Sequence, residues 1–241
     1  MTRIERTHDK QIYLAEEHYE RPREIEKMIL SRVAEHGGIP AGATVCEFGC
    51  AAGEFLLHLQ RQAPAASYTG YDVVPEFLEK ARARVLGPAF LPGSVLDRGL
   101  RPEASIDIAF MIGVHSIFDD IETSLSNLLH WTRPGGRVYV FGPFNPFPLD
   151  VWVTYRLCDD PDPQHREPGW NLFSTTSIAR YLDRQLGPGR HTFTAFEMPI
   201  DLPHRPDDPA RSWTMRDQQG RRILTNGLSL LIRPELLDIS R

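Results

Sequence analysis

Between Val45 and Leu56 the chain reads V-C-E-F-G-C-A-A-G-E-F-L. Thr44–Phe48 is a short, largely apolar run of strand length, and Phe55, Leu56, Leu57 and Leu59 follow as a helix-like run. A glycine-rich turn separates the two, so the stretch predicts strand, tight turn and helix. Glycine in such a turn adopts backbone shapes that a side chain forbids and lets a ligand approach the main chain. The helix beyond it opens with unpaired N–H groups and a partial positive end, which suit an anionic group. The spacing narrows the ligand. A pyrophosphate-binding turn reads G-x-G-x-x-G, whereas this one reads Glu47-x-Gly49-x-x-x-Gly53. A carboxylate at the end of the strand repels a pyrophosphate and favours a cationic amine.

The rest of the first 142 residues repeats the strand–helix alternation. After a polar start containing Tyr13 and Tyr19, Ile25, Met28, Ile29 and Val33 share one helical face, and His36-Gly37-Gly38 ends that helix. A second strand over Ala66–Asp72 leaves Asp72 about 20 residues beyond the turn, where a carboxylate can accept from two vicinal ribose hydroxyls. Val74-Pro75-Glu76 opens the next helix, which turns Phe77, Leu78, Ala81 and Val85 inward. Ala89–Leu91 is a third strand. Ile106–Ile112, apolar almost throughout, reads as a central strand covered on both faces. A helix carrying Ile121, Leu125, Leu128, Leu129 and Trp131 runs to Arg133-Pro134-Gly135-Gly136, and Arg137–Phe141 is the fifth strand. Strands alternating with helices predict an open, mostly parallel α/β sheet with helices on both faces. Ligands of such sheets bind beyond the carboxyl ends of the strands. Gly49, Asp72, Ser94, Gly113 and Gly142 all fall at or just past those ends.

At 241 residues the chain fits one large domain, and its net charge of −5 argues against general binding to nucleic acid. No apolar run reaches bilayer length, and the N-terminus lacks a signal-peptide core, so neither membrane insertion nor export is expected and the protein reads as cytoplasmic. Cys46, Cys50 and Cys158 have neither zinc-ligand spacing nor a disulfide pattern, so no metal is expected.

Residues 143–175 break the alternation with an aromatic, proline-rich stretch and an acidic loop, as a lid over a site does. Asn145, Trp152, Tyr155, Arg156, Trp170 and Asn171 offer flat apolar faces with polar tips that suit a small-molecule pocket. Each could equally serve a small core of the loop's own. Ser174-Thr175-Thr176 caps a helix over Ile178–Leu186. Further strands are expected over Thr192–Ile200, Ser212–Met215 and Arg222–Ile232, with a turn at Gln219-Gly220 and a polar insertion at Asp201–Arg211.

The Glu47–Gly53 turn resembles motif I of the class I S-adenosylmethionine-dependent methyltransferases, with Ala51 in place of the middle glycine. Gly113-Val114-His115-Ser116 and the Pro134-Gly135-Gly136 turn resemble the same family, small-molecule type. The resemblance covers about residues 25–142. It implies a Rossmann-like, seven-stranded sheet with its last strand antiparallel and a lid after strand five. The divisions expected are a cap over 1–40, a cofactor core over 41–142, the lid, and a closing segment over 176–241.

The implied cofactor is S-adenosyl-L-methionine. By resemblance, Glu47, Gly49, Cys50, Ala51 and Gly53 cradle its amino-acid end, and Asp72 with Val73 takes the ribose. Ser94 and Val95 take the adenine, with Asp97 as a substitute for Ser94, and Ile112 and Gly113 complete the set. Tyr19 or Tyr13 would cover the sulfonium. The implied partner is a small-molecule acceptor methylated at oxygen or nitrogen, a sugar or natural-product intermediate among them, with His115 as general base or as pocket wall. His165 and His191 are weaker base candidates. A catalytically inactive scaffold of the same fold is the alternative. A nicotinamide-dependent oxidoreductase would require the tighter glycine turn.

Overall fold

The computed structural model describes residues 7–15, 17–156, 158–197, 214–216, 222–224 and 233–241. In chain order the elements are α1 (Thr7–Ala15), α2 (Glu24–Glu35), β1 (Thr44–Phe48), α3 (Glu54–Gln62), β2 (Ser67–Asp72), α4 (Pro75–Arg84), β3 (Ala89–Pro92), β4 (Ile106–Ile112), α5 (Ile121–Trp131) and β5 (Thr132–Asn145). There follow β6 (Thr154–Tyr155), β7 (Glu167–Pro168), β8 (Phe173–Ser174), α6 (Thr175–Leu186), β9 (His191–Ala195), β10 (Thr214–Arg216), β11 (Arg222–Leu224) and β12 (Arg233–Ser240).

The main sheet runs β3-β2-β1-β4-β5-β12-β9, with β8 added beside β5. The first five strands of this path are parallel, and β12 is antiparallel to both β5 and β9. The expected Rossmann-like sheet of seven strands with an antiparallel last strand is therefore present. Its order reverses between β1 and β4, which opens a crevice at their carboxyl ends.

Alternation along each strand divides the core. Val45, Ile108, Phe110, Tyr139 and Leu236 pack on one face with Ile29, Val33, Phe55, Leu56 and Leu59 from α2 and α3. Cys46, Phe48, Ala109, Met111, Val138 and Leu237 pack on the other with Leu125, Leu128 and Trp131 of α5 and Ile178 and Leu182 of α6. Phe48 stacks on Trp131 at 4.9 Å and on Tyr71 at 5.4 Å, which ties the strand before the turn to β2 beside it and to α5 over the same face.

Three sequence expectations need adjustment. The fifth strand begins at Thr132 rather than Arg137, because Arg133–Gly136 bulges out where the pairing with β4 shifts register between Ile106 and Ile108. Of the strand expected over Arg222–Ile232, the described part is Arg222–Leu224, paired with β10 as a hairpin. The strand that closes the main sheet among the described residues is Arg233–Ser240, which falls in the 176–241 segment expected to hold a helix and antiparallel strands but for which no individual strand was placed. Its pattern R-P-E-L-L-D-I-S is broken by a proline and by two acidic residues that the fold buries, Glu235 and Asp238. Asp238 is buried because Arg32 of α2 reaches it at 3.1 Å. The expected insertion at 201–211 and the turn Gln219-Gly220 lie outside the described residues.

β12 supplies Leu237 to the core between β5 and α6, so Leu237→Ala is expected to cost about 2–5 kcal/mol in urea denaturation. Leu86→Ala, at a position 84% exposed, should stay within about 0.5 kcal/mol of the parent.

Candidate functional site

The carboxyl ends of β1 to β5 meet as one hydrogen-bonded rim. The Gly49 and Cys50 N–H groups donate to Tyr71 O at 2.7 and 3.0 Å, Gly93 N–H to Asp72 O at 3.0 Å, and Gly113 N–H to Phe141 O at 2.8 Å. Gly49, Ala51, Ser94 and Ile112 are half-buried there, and Val73 and Gly113 are exposed. The rim is thus an open slot lined by main chain and small side chains.

The turn that bounds the slot has room for glycine alone at its first position. Gly49 has φ +81°, and a Cβ there would sit 2.2 Å from Val114 Cγ2. Ala51, where the family pattern has glycine, also lies in the left-handed region at φ +44°. Its N–H donates to Asp72 Oδ2 at 2.9 Å, and this anchor helps to hold a conformation that alanine otherwise disfavours.

Asp72 Oδ1 accepts from Val74 N–H at 2.9 Å. Burial raises the Asp72 pKa while these main-chain donors oppose it. A carboxylate offers about four acceptor sites, so two main-chain bonds leave capacity for ribose hydroxyls. Ser94 Oγ accepts from Leu96 N–H at 3.2 Å, and Val95 O accepts from Asn127 Nδ2 at 2.9 Å. Asp97 caps a single 3-10 turn through Gly99 N–H at 3.0 Å. Tyr19 is buried against the turn, its hydroxyl donating to Ala52 O at 3.4 Å and its ring lying 4.8 Å from the Arg84 guanidinium carbon. Tyr13 packs edge-on to Phe77.

Glu47 is the electrostatic feature of the site. It is buried, and its Oε2 has no hydrogen-bond partner. Burial first, then the nearby Glu26 and Asp72, push its pKa well above the ordinary carboxylate range, with Arg23 opposing. Sequence reading missed Glu26, a fully buried carboxylate on α2. It accepts from Arg23 N, Nε and Nη2 at 2.8, 2.9 and 2.7 Å. The signal was present as a capping-box glutamate three residues after the helix cap, with arginine where serine or threonine usually stands.

His115 departs from its expected place on an open rim. It is fully buried, stacked on Phe144 at 4.5 Å, with Nε2 3.0 Å from Pro143 O. A carbonyl only accepts, so Nε2 carries the proton and Nδ1 keeps a lone pair, for which there is no partner. Burial pushes its pKa down to about 4, so the ring is neutral at physiological pH. Gly142 leaves the space it occupies, because a Cβ there would fall 2.2 Å from His115 Cε1. His165 bonds Asp160 in the exposed loop, and His191 lies 3.7 Å from Asp183, away from the rim.

The lid residues divide. Asn171 Nδ2 donates to Phe118 O at 2.8 Å and Asp119 Oδ1 at 3.1 Å, and its Oδ1 accepts from Val153 N–H at 2.9 Å. Asn145 bonds Leu149 O and Phe147 N–H, and Arg156 bonds Asp160 O. These three side chains thus brace the loop itself. Trp152 is 58% exposed and donates to Asp119 O at 2.9 Å, so its ring face stays available beside the rim. Tyr155 and Trp170 are half-buried. On the other side of the sheet, an open cleft of about 320 Å3 separates Glu24, Lys27 and Met28 of α2 from Ala195, Phe196 and Glu197. Its far wall reaches the rim, because Ala195 and Gly142 both pair with Glu235.

Residues 46–138 match a family model described as a methyltransferase domain. The trans-aconitate 2-methyltransferase of Azoarcus sp. is 31% identical over 103 residues, 43% of this chain and 40% of that protein. Nodulation protein S of Rhizobium tropici is 33% identical over 129 residues, 52% of this chain and 50% of that protein. The alignments thus span half or less of these curated relatives. Among solved structures, the YcgJ protein of Bacillus subtilis superposes with a TM-score of 0.58 at 16% identity, over 89% of this chain and 99% of that one; that likeness concerns the fold.

The geometry of the turn gives two expectations. Gly49→Ala should cost more than about 2 kcal/mol, through left-handed strain and overpacking, whereas Ala51→Gly should stay within about 1 kcal/mol of the parent in the same denaturation assay. For Glu47, the folded chain keeps a proton that the unfolded chain releases above the ordinary carboxylate range. Stability present below that range is therefore lost as pH rises toward the elevated value. Glu47→Gln should make the ligand-free protein more stable at pH 8 and flatten that part of its pH–stability curve.

Proposed function

We propose that this chain, whose residues 46–138 match a methyltransferase-domain model, binds S-adenosyl-L-methionine at the Glu47–Gly53 turn and methylates a small molecule at oxygen or nitrogen. The observation that carries this reading is the buried Glu47 at the turn, whose Oε2 has no hydrogen-bond partner. An uncompensated carboxylate is costly to bury. An ammonium group placed beside it removes that cost, whereas a pyrophosphate adds to it. Asp72, at the end of β2, supplies the acceptor for ribose hydroxyls.

The cofactor brings an electrophilic methyl on a positively charged sulfur, and transfer is an in-line displacement. The protein's part is alignment, which supplies roughly 7–11 kcal/mol of the barrier in favourable cases. The acceptor is drawn to the rim between the Gly113–Asp119 segment and the lid, with Trp152, Tyr155 and Trp170 as its apolar faces. A sugar or other biosynthetic intermediate is the acceptor class put first. The relative named for trans-aconitate supports a small acceptor. His115, neutral and bound to Pro143, serves as the wall that sets the distance between β4 and β5. Base catalysis by it would require its buried Nδ1 to become accessible.

Calorimetric titration tests the cofactor. S-adenosylhomocysteine should bind in the micromolar range and NAD should not. Asp72→Ala should weaken S-adenosylhomocysteine about tenfold or more, as expected for hydrogen bonds to a charged group. Absence of binding would favour an inactive scaffold, and NAD binding would favour an oxidoreductase. Once binding is seen, transfer of labelled methyl from S-adenosylmethionine to small anionic and sugar-like molecules tests the acceptor.

A further inference from the structure

Two segments border the rim beyond β4 and β5, the loop of residues 113–122 and the insertion of residues 145–166. The first starts against the glycine turn, since a Cβ at Gly49 would sit 2.2 Å from Val114 Cγ2. The second is pinned to the first. Trp152 Nε1 donates to Asp119 O at 2.9 Å, and Asn171 joins Val153 N–H to Phe118 O through bonds of 2.9 and 2.8 Å. Together the two segments hold seven carboxylates and two arginines, a net −5 that equals the charge of the whole chain. Most of this charge meets no cation nearby. Asp119, Asp120, Asp150 and Asp162 accept from the neutral donors Asn171 Nδ2, Glu122 N–H, Ser174 N–H and Gln164 N–H. Arg156 and Arg166 donate to the main-chain oxygens of Asp160 and Pro163. Asp160 and Glu122 have basic side chains beside them, His165 and Arg184.

Such a field gathers cations at the rim and repels anions. The surface within it is apolar and aromatic. Trp152 is 58% exposed with its indole N–H fixed, and Ile117, Phe147 and Leu149 of the same segments are exposed as well. Indole is the best aromatic face for a cation. Two fully buried polar atoms of the loop, His115 Nδ1 and Ser116 Oγ, have no hydrogen-bond partner among the described residues. With Nε2 donating to Pro143 O, Nδ1 can only accept, which suits a donor and not an anion. The reacting atom points the same way. A hydroxyl needs a base to take its proton as the methyl arrives, and His115, its pKa pushed down to about 4 by burial, is a weak one. An amine brings its own lone pair.

We infer that the acceptor is an aliphatic amine on an apolar body, a cation in solution that the acidic rim gathers and Trp152 faces, and that the bond formed is N–CH3. This rests on the methyltransferase reading above and narrows it from oxygen or nitrogen to nitrogen. The ammonium first gives one proton to solvent. The nitrogen lone pair then forms the N–C bond while the C–S bond breaks and its electron pair moves to sulfur. Positive charge passes from sulfur to nitrogen, leaving a neutral thioether and a methylated ammonium. The carboxylates of the rim thus face a cation both before and after the step.

The test uses labelled S-adenosylmethionine and three probes of similar shape, phenethylamine, 2-phenylethanol and phenylacetate, on protein first titrated with S-adenosylhomocysteine. The amine should be methylated with a kcat/KM at least about tenfold above the other two. Raising the salt from about 0.05 to 0.5 M should lower that value several-fold, because screening shortens the reach of the rim's charge. Trp152→Leu should raise the KM for the amine about 3- to 30-fold with kcat within about twofold, the range for a cation facing indole, and Trp152→Phe should recover part of the loss. Asp159→Asn, at an exposed position, should lessen the salt dependence, and it carries the test if the Trp152 variants do not fold. Preference for the alcohol or the carboxylate, transfer to none of the three, or a salt-independent kcat/KM for the amine would overturn the inference and leave the cofactor reading intact. A protein that does not bind S-adenosylhomocysteine would overturn both.

Discussion

The structure depends on keeping one carboxylate, that of Glu47, out of water at the end of a central strand. Charge burial of this kind is costly unless the group is neutralised or paired. The molecule leaves Glu47 Oε2 without a hydrogen bond and places a second buried carboxylate, Glu26, near it. The ligand-free site is therefore electrostatically incomplete. A cationic group beside Glu47 would offset that cost, and the backbone of the turn is shaped for close approach. The left-handed residues Gly49 and Ala51 and the anchoring of Ala51 by Asp72 are parts of the same arrangement.

The sheet makes this arrangement possible. Strand order reverses between β1 and β4, so the loops after those strands diverge and leave a crevice. Phe48, stacked between Tyr71 and Trp131, fixes the strand that carries Glu47. Beyond the end of β4, His115 reaches Pro143 on β5, and Asn171 bonds Phe118 of the same loop. These contacts tie the Gly113–Asp119 loop, the segment around Asn171 and the glycine turn to one rim. A shift in any of them would change the shape of that rim.

Much of the fold was legible in the sequence because its signals are local. Thr44–Phe48, Ile106–Ile112 and the helix carrying Leu125 and Trp131 announce themselves by apolar content, and glycine marks the turns between them. The last strand was not legible. Glu235 and Asp238 read as surface residues until the fold brings Arg32 from the far end of the chain to Asp238. Of the strand expected at Arg222–Ile232, Arg222–Leu224 is present and the rest lies outside the described residues. Within the site, Glu47, Gly49 and Asp72 could be picked out because turn chemistry and spacing are local properties. Glu26 carried a local signal as a capping-box residue, but its nearness to Glu47 comes only from the fold that sets α2 against the sheet. His115 was recognised as notable, but its burial depends on Gly142 and Phe144, nearly thirty residues on. Asn145 and Asn171 read as pocket lining because a side-chain amide suits a ligand and a loop turn equally well.

The central claim, that Glu47 waits in a protonated or otherwise unfavourable state for a cationic group, has a direct thermodynamic signature. Binding enthalpy of S-adenosylhomocysteine can be measured near pH 6 in buffers of different ionisation enthalpy. The slope of one against the other gives the protons exchanged. An ammonium settling beside Glu47 favours its ionised form, so the account predicts net proton release, abolished in Glu47→Gln. Binding without proton exchange, or release that persists in Glu47→Gln, would contradict it.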